Sequence, residues 1–269
     1  MNDLLGLLRR SKVYDLGQPL FTGMPHYPTH PPFLFGLTKK HGDMVAEGGV
    51  SSAADAIAMG THVGTHIDAL CHFSCGGMLH GGVPAKAVQS DGGGMRAHSV
   101  DTIAPILRRG VLLDIAALAQ VDALPTDFGI TTSHLESAAK AQGVAIEKGD
   151  VVLLRTGWAR FWHDAARYIT GGAGAQPAGP GPELAGARWL SERVVFAAGS
   201  DTVAFERVPA PTMPVHVHLL VESGIHIIEA LNLEELSRDR IYEFVFVAAP
   251  LKIQGATGSP IRPLALVPE

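Results

Sequence analysis

Short apolar runs recur along this chain at spacings that predict strands. Val151–Arg155 is a continuous apolar run that follows Gly149 and Asp150, as is typical of a strand buried on both faces. The other runs with this character are residues 111–115, 194–198, 225–229 and 241–248. Polar and helical segments separate these runs, so the pattern indicates an α/β fold.

Helical patterns fill much of the sequence between the strands. Residues 131–142 have a helix signature, in which Ser133 and Glu136 are spaced as a capping box and Gly143 can end the helix. The other predicted helices are a short amphipathic segment at residues 1–10, residues 182–193, and residues 214–223 ended by Gly224. Residues 171–181 are rich in glycine and predict a surface loop or a lid.

The pattern continues without an internal repeat or a domain boundary. We therefore expect residues 1–269 to form one α/β domain around a mixed central sheet. With 46% hydrophobic and 17% charged residues, the chain has the composition of a globular protein that can build a sizeable core.

Charge and cysteine content exclude several classes of partner. The formal net charge is -5 and no window is rich in Lys or Arg, so nucleic acid is not an expected partner. No apolar run reaches the roughly 18 residues that a membrane span needs. The N-terminal charges follow the apolar patch, the reverse of a secretory signal. Cys71 and Cys75, predicted to be free and buried, fit a reducing cytoplasm.

One short segment concentrates groups that bind metal ions. His62, His66 and Asp68 are spaced so that an extended strand would point all three to one side. Gly64 would leave room for an ion between them, and Thr65 would face the other way, free to support a ligand by a hydrogen bond. Imidazole and carboxylate suit Zn²⁺, and carboxylates also suit Mn²⁺. The sequence predicts a metal site that holds one or two such ions.

His72 lies just past this face. It is either a further metal ligand or a proton shuttle, and its position beyond the alternating residues favours the shuttle.

A second cluster places ionisable residues in apolar surroundings. His216 and His218 lie at the start of the predicted helix, and Glu229 ends the following strand. Such groups are paired when they are buried, so we predict that His216 and Glu229 complete the metal site from its far side. His218 remains an alternative to His216, whereas His226 is predicted to be structural.

Other functions use the same residue types. Two histidines and a carboxylate form the site of non-haem iron oxygenases, although an additional His and Glu would crowd the open positions of the iron. A non-catalytic metal-binding protein is a third possibility, but it has no need of His72.

Trp158, Phe161 and Trp162 could line an aromatic substrate pocket, although a helix packing its apolar face is the simpler interpretation.

The first segment also resembles a known family, the bacterial cyclase-like metal hydrolases that include kynurenine formamidase and isatin hydrolase. The family signature is His-x-Gly-Thr-His-x-Asp-x-x-x-His, which residues 62–72 match in order. Weaker likenesses lie at residues 13–25, 154–158, 199–202 and 258–262. Leu70 stands where the family usually has proline, and the spacing from His216 to Glu229 is one residue longer than in the formamidases.

The resemblance implies a swivelling β/β/α fold and metal-dependent hydrolysis of a cyclic or acyclic amide in a small-molecule substrate. It implies that His62, His66 and Asp68 bind metal, with Asp68 bridging two zinc ions, and that His72 donates and accepts the proton. A later His and Glu, here His216 and Glu229, complete the site. The family likeness also implies a homo-oligomer, either a dimer or a tetramer.

Overall fold

The structure is a computed structural model that describes residue 6, residues 9–172 and residues 174–268. Its strands are β1 Ser11–Asp15, β2 Leu34–Lys39, β3 Ala54–Ala58, β4 His66–Asp68, β5 Gln89–Ser90, β6 Gly94–Met95, β7 Ile106–Asp114, β8 Gly129–Ile130, β9 Val151–Arg155, β10 Gly181–Pro182, β11 Ala197–Ser200, β12 His226–Glu229, β13 Glu243–Ala248, β14 Gly258–Pro260 and β15 Leu264–Pro268.

Helices connect many of these strands. The α-helices are α1 Ala85–Val88, α2 Ile115–Leu118, α3 Thr132–Gln142, α4 Ala165–Thr170, α5 Leu184–Glu192, α6 Pro214–His216 and α7 Glu234–Arg238. Helix α6 continues directly into a π-helical segment, Val217–Ser223. Short 3₁₀ turns occupy Glu47–Gly49, His80–Gly82, Val100–Thr102 and Trp158–Phe161. None of the helices in the described ranges is long and apolar enough to cross a membrane.

A nine-stranded mixed sheet organises the molecule, in the order β1-β15-β13-β7-β9-β11-β12-β4-β14. Its central strands β7, β9, β11 and β12 are parallel, and the strands on both sides of them are antiparallel. The predicted α/β class with a mixed sheet is confirmed.

The apolar runs seen in the sequence form the centre of this sheet. Every residue of β9 is buried, and its side chains alternate between two apolar layers: Val151 and Leu153 pack on one face, Val152 and Leu154 on the other. A strand covered on both faces needs apolar residues at successive positions, which explains why the run is continuous rather than alternating.

Strand β4 lies near one edge of the sheet and carries the predicted ligands. It pairs antiparallel with β12, with Glu229 opposite His66, and antiparallel with β14, with Gly258 opposite Asp68. Because opposite residues of an antiparallel pair share a face, the register places the His66 and Glu229 side chains together.

The predicted strand at Val151–Arg155 and the predicted helix that ends at Gln142 are confirmed, whereas other boundaries are corrected. The helix begins at Thr132 and its cap pairs Thr131 with His134, not Ser133 with Glu136, because the His134 ring lies 3.2 Å from the Thr131 amide nitrogen. The boundaries of the remaining predicted elements shift by a few residues, since turns form at their ends.

Three further expectations differ from the structure. Residues 62–65 are not extended, because Gly64 has a φ of 73° and the chain turns before β4 begins at His66. The second cluster continues as a π-helix rather than as a regular α-helix. Most of the predicted N-terminal helix, residues 1–10, lies outside the described residues.

Both cysteines are free, but only Cys71 is buried, since Cys75 lies in an exposed turn. The cytoplasmic location inferred from the two cysteines stays a prediction.

Candidate metal centre

The turn before β4 brings the first histidine back to the strand. Gly64 adopts the left-handed conformation that favours glycine, and an added Cβ would lie 2.6 Å from the Leu20 side chain. His66 and Asp68 are two positions apart on β4, so their side chains lie on the same face of the strand. The His62 ring reaches this face from the turn. The predicted convergence of these three side chains is therefore present, although a glycine turn and not a fully extended segment produces it.

His62, Asp68 and His72 form the first group of donor atoms. One ligand atom from each lies within 4.8 Å of the others. His62 Nδ1 is 2.7 Å from Asp68 Oδ1, and its Nε2 is 2.8 Å from the Thr257 hydroxyl. The rings of His62 and His72 are stacked, with 3.8 Å between their centroids. His72 is thus close enough to be a ligand as well as a shuttle.

His66, Asp68 and Glu229 form the second group. His66 Nε2 lies 3.5 Å from Asp68 Oδ1 and 3.3 Å from Glu229 Oε2. All three side chains are buried. Asp68 belongs to both groups, so the two sets of donor atoms share one carboxylate.

Two buried polar atoms at this point have no hydrogen-bond partner in the described protein: His66 Nε2 and Asp68 Oδ2. An unsatisfied polar atom is costly inside a protein unless it binds something else. Both atoms are of types that coordinate divalent cations. The donor set therefore fits a metal such as Zn²⁺ or Mn²⁺.

His216 reaches the site through Glu229. Its Nε2 lies 3.1 Å from Glu229 Oε1, and the ring is buried. It belongs to neither group of three donors. His218, the alternative, turns away from the site, with its ring nitrogens 2.7 Å from Glu222 and 2.8 Å from the Ser191 hydroxyl. His226, predicted to be structural, has its Nδ1 2.9 Å from the Asp68 carbonyl oxygen.

Opposing effects set the protonation of the site in the metal-free protein. Burial alone would lower the pKa of His66, but the neighbouring carboxylates of Asp68 and Glu229 raise it to about 10. Burial would likewise lower the pKa of His216, but Glu206 and Glu229 outweigh this effect and raise it to about 10. Burial would raise the pKa of Asp68, but the His72 and His62 imidazoles hold it well below its usual range.

His72 differs from these histidines because burial dominates its environment. Desolvation lowers the pKa of His72 to about 3, although the Asp68 charge opposes the shift. Its imidazole is therefore neutral at pH 7, with a nitrogen lone pair that can accept a proton or bind a metal.

A small pocket of about 10 Å³, with room for about one water molecule, opens on His62 and His66. Its other lining residues are Pro25, His26, Tyr27, Val63, Gly64, Trp162, Tyr168, Val203 and Ala230. Trp162 therefore lines the cavity, whereas Trp158 packs in the core, where its indole N–H donates to the Tyr168 carbonyl at 2.9 Å. These described lining residues include no lysine or arginine.

Several residues that support the site were not predicted. Thr257 contacts His62, and its only sequence signal is its place beside the 258–262 segment. Glu206 lies 2.6 Å from His216 Nδ1 and belongs to no recognisable motif. Thr65 contacts no proposed ligand but donates to the Ala230 carbonyl at 2.6 Å, which ties the turn before β4 to the residue after Glu229.

Known proteins with related sequences and folds include hydrolases. An isatin hydrolase of Roseibium aggregatum is 29% identical over 217 residues, which cover 79% of this chain and 74% of that protein. A kynurenine formamidase of Bacillus thuringiensis is 26% identical over 262 residues, covering 95% of this chain and 97% of that protein. A crystal structure described as a novel cyclase has a TM-score of 0.86 at 30% identity and covers 98% of this chain and 90% of that one.

The family model described as "Putative cyclase" matches residues 14–207, a span that contains the turn before β4, the strand itself and His72. The crystal structure described as a novel cyclase shares its fold with this chain along 98% of the chain's length. The predicted resemblance is confirmed: the chain belongs to this cyclase family and is a hydrolytic enzyme.

Proposed function

We propose that this enzyme hydrolyses an amide bond in a small molecule, with one or two divalent metal ions bound by His62, His66, Asp68 and Glu229. The observation that carries the proposal is the pair of donor groups that share Asp68 beside a small pocket. His216 would complete the site next to Glu229. When bound, a divalent ion supplies the Lewis acidity that activates water and polarises a carbonyl group.

The protein's own residues would handle the proton. His72 is neutral at pH 7, stacks on His62 and belongs to the first group of donor atoms, so its imidazole lies beside the predicted ligands. There it can accept a proton from the attacking water and deliver it to the leaving nitrogen. Asp68 and Glu229, both buried and ionised, would offset the positive charge of the site.

The residues that line the pocket favour an uncharged substrate. Trp162, Tyr27 and Tyr168 provide aromatic side chains, and none of the described lining residues is a lysine or arginine that could pair with a substrate carboxylate. Small planar amides such as isatins and N-formyl aromatic amines match this lining better than a charged amino acid derivative does.

The test combines metal replacement with one substitution. Metal-stripped protein would be reloaded with Zn²⁺ or Mn²⁺ and assayed on isatins, N-formyl aromatic amines, lactams and imides. We expect His72→Asn to keep its metal content and fold while turnover falls by roughly 10²- to 10⁴-fold. Loss of metal in this variant would make His72 a ligand, and full activity with metal bound would remove it from the mechanism.

Two other outcomes would replace the proposal. Dioxygen consumption with Fe²⁺ and no hydrolysis would indicate the oxygenase alternative, whereas metal binding without turnover on any substrate would indicate a non-catalytic metal protein. A matched pair of variants would decide the far ligand, with His216→Ala expected to reduce metal binding and His218→Ala expected to leave it unchanged.

We also propose that the enzyme is a homo-oligomer. Strands β2 and β3 form a hairpin whose apolar side chains are exposed, including Phe35, Leu37 and Ile57 at 53%, 56% and 60%. An isolated two-stranded hairpin is marginally stable in water, and an exposed apolar strand pair invites further association. A second copy of the chain that covers this hairpin would stabilise it and bury its apolar side chains.

A further inference from the structure

A buried carboxylate outside the sequence motifs holds the ring of His216. Glu206 is only 1% exposed and lies in the loop between β11 and α6. Its Oε1 accepts from the His216 backbone N–H at 3.1 Å and lies 2.6 Å from His216 Nδ1. Two contacts from one oxygen to one residue fix both the start of α6 and the rotation of the ring.

The contact at Nδ1 determines what the other ring nitrogen can do. An ionised carboxylate only accepts hydrogen bonds, so Nδ1 carries a proton and keeps it when a metal replaces the proton on Nε2. The ring then directs Nε2 to the opposite side, where it lies 3.1 Å from Glu229 Oε1. This geometry is that of a carboxylate that orients a metal-binding histidine through the nitrogen away from the metal.

The same loop also holds Glu229. The Phe205 backbone N–H donates to Glu229 Oε1 at 2.7 Å, and Phe205 immediately precedes Glu206. Two adjacent residues of one loop thus position both side chains of the far half of the site.

We propose that Glu206 is a positioning residue that fixes His216 with Nδ1 protonated and Nε2 directed to the metal. The inference rests on the proposed function, because it requires a metal at this site. It does not depend on which amide is hydrolysed.

The chain contains its own control for this arrangement. His218, two residues further along the same helix, has its Nδ1 2.7 Å from Glu222 Oε2. The pair has the same chemistry, but the Glu222 side chain is 60% exposed and the His218 ring faces Ser191 instead of the site. If the loss of any glutamate that contacts a histidine lowered zinc affinity, substitutions at both pairs would lower it equally. If Glu206 positions His216, only the substitution at the buried pair would lower it.

The experiment compares Glu206→Gln with Glu222→Gln in the full-length protein. Zn²⁺ affinity would be measured by competition with a chelator, and bound zinc by mass spectrometry. We expect Glu206→Gln to weaken zinc binding about 10- to 100-fold, the usual effect of removing a residue that orients a ligand. Glu222→Gln should leave zinc affinity unchanged, and equal losses in the two variants would overturn the proposal.

A spectroscopic readout separates positioning from a structural role. In ¹⁵N-histidine NMR spectra of the zinc-loaded wild-type protein, we expect His216 to be protonated at Nδ1 and bound through Nε2. Coordination through Nδ1, or no coordination of His216, would overturn the proposal even if Glu206→Gln failed to fold. In a His216→Ala background, Glu206→Gln should cause no further loss of zinc affinity, and an additional 10-fold loss would show that Glu206 acts elsewhere. Absence of amide hydrolysis with these results intact would contradict only the proposed function.

Discussion

At the scale of single residues, the candidate centre depends on positions where only glycine fits. Gly258 lies opposite Asp68 on β14, and an added Cβ would be 2.5 Å from His62 Cε1. The His62 ring therefore packs directly on the backbone of the neighbouring strand. This contact, the Thr257 hydroxyl and the Asp68 carboxylate together determine where the ring lies.

Gly258→Ala is expected to displace the His62 ring and so to weaken metal binding about 10-fold or more, as loss of ligand orientation usually does. Metal content after dialysis and the chelator-competition affinity would measure this effect. Gly92→Ala is the matched control, because nothing lies within 4 Å of a Cβ added there and its φ is not in the left-handed region. Wild-type metal affinity in Gly258→Ala would show that the ring position does not matter for binding.

Protonation of single side chains also predicts how metal binding depends on pH. The pKa values of His66 and His216 are about 10 in the metal-free protein, so at pH 7 each ring is a cation with both nitrogens protonated. Each must lose that proton before Nε2 can bind an ion. The protonated form prevails below the raised pKa, so the observed affinity must fall as pH falls.

We therefore expect metal binding at pH 7 to release about two protons, and the observed affinity to rise up to about 100-fold per pH unit while both groups titrate. Calorimetric titrations in buffers with different enthalpies of ionisation would count the protons. His66→Gln should release one proton fewer than the wild type. Affinity that stays constant between pH 6.5 and 8 would contradict the assignment of these two histidines as ligands.

At the scale of elements, the carboxyl ends of the parallel strands position both the ligands and the wall of the cavity. Glu229 ends β12, and Asp201 directly follows β11. Asp201 is fully buried and accepts from the backbone N–H groups of Thr156, Gly157 and Trp158. It thereby holds the turn that leads to Trp162 and the cavity.

Asp201→Asn should lower the free energy of unfolding by about 2–3 kcal/mol, because an amide NH₂ would then face buried N–H donors. Urea denaturation would measure the change. Asp122→Asn is the control, since its side chain is 89% exposed and forms a surface ion pair with Arg160, so its effect should be within about 0.5 kcal/mol. A loss below 1 kcal/mol in Asp201→Asn would mean that the turn does not depend on this carboxylate.

The sequence predicted the elements whose position hydrophobic burial determines. It did not predict features that depend on contacts between residues distant in the sequence. Val151–Arg155 was predicted to the residue because a strand covered on both faces requires a continuous apolar run. The turn at Gly64 was missed because its left-handed φ is a property of the packed structure and leaves the His-x-x-x-His spacing unchanged. Glu206 was missed because nothing in its local sequence shows that the chain returns to His216 ten residues later.

At the scale of the whole molecule, the candidate metal centre lies where the direction of the sheet changes. Strand β12 is the last of the parallel strands, and β4 beside it is antiparallel. Ligands of α/β proteins commonly bind at the carboxyl ends of parallel strands. The antiparallel neighbour adds His66 and Asp68 to Glu229 at that edge, so that residues more than 160 positions apart in sequence form one site.

The exposed hairpin of β2 and β3 predicts how copies of the chain associate. Phe35 pairs with Ile57 in the hairpin register, and Leu37 is two residues from Phe35, so these three exposed apolar side chains share one face. If a second copy covers this face, a charge placed there must leave water when the copies associate, which is strongly unfavourable. We expect sedimentation velocity to show the wild type as a dimer or a tetramer and Ile57→Lys as a species of lower mass. Leu107→Lys, which alters an apolar side chain on β7 that is 71% exposed, should keep the wild-type mass. A monomeric wild type at tens of micromolar, or an Ile57→Lys variant of unchanged mass, would show that the hairpin is not the surface through which the copies associate.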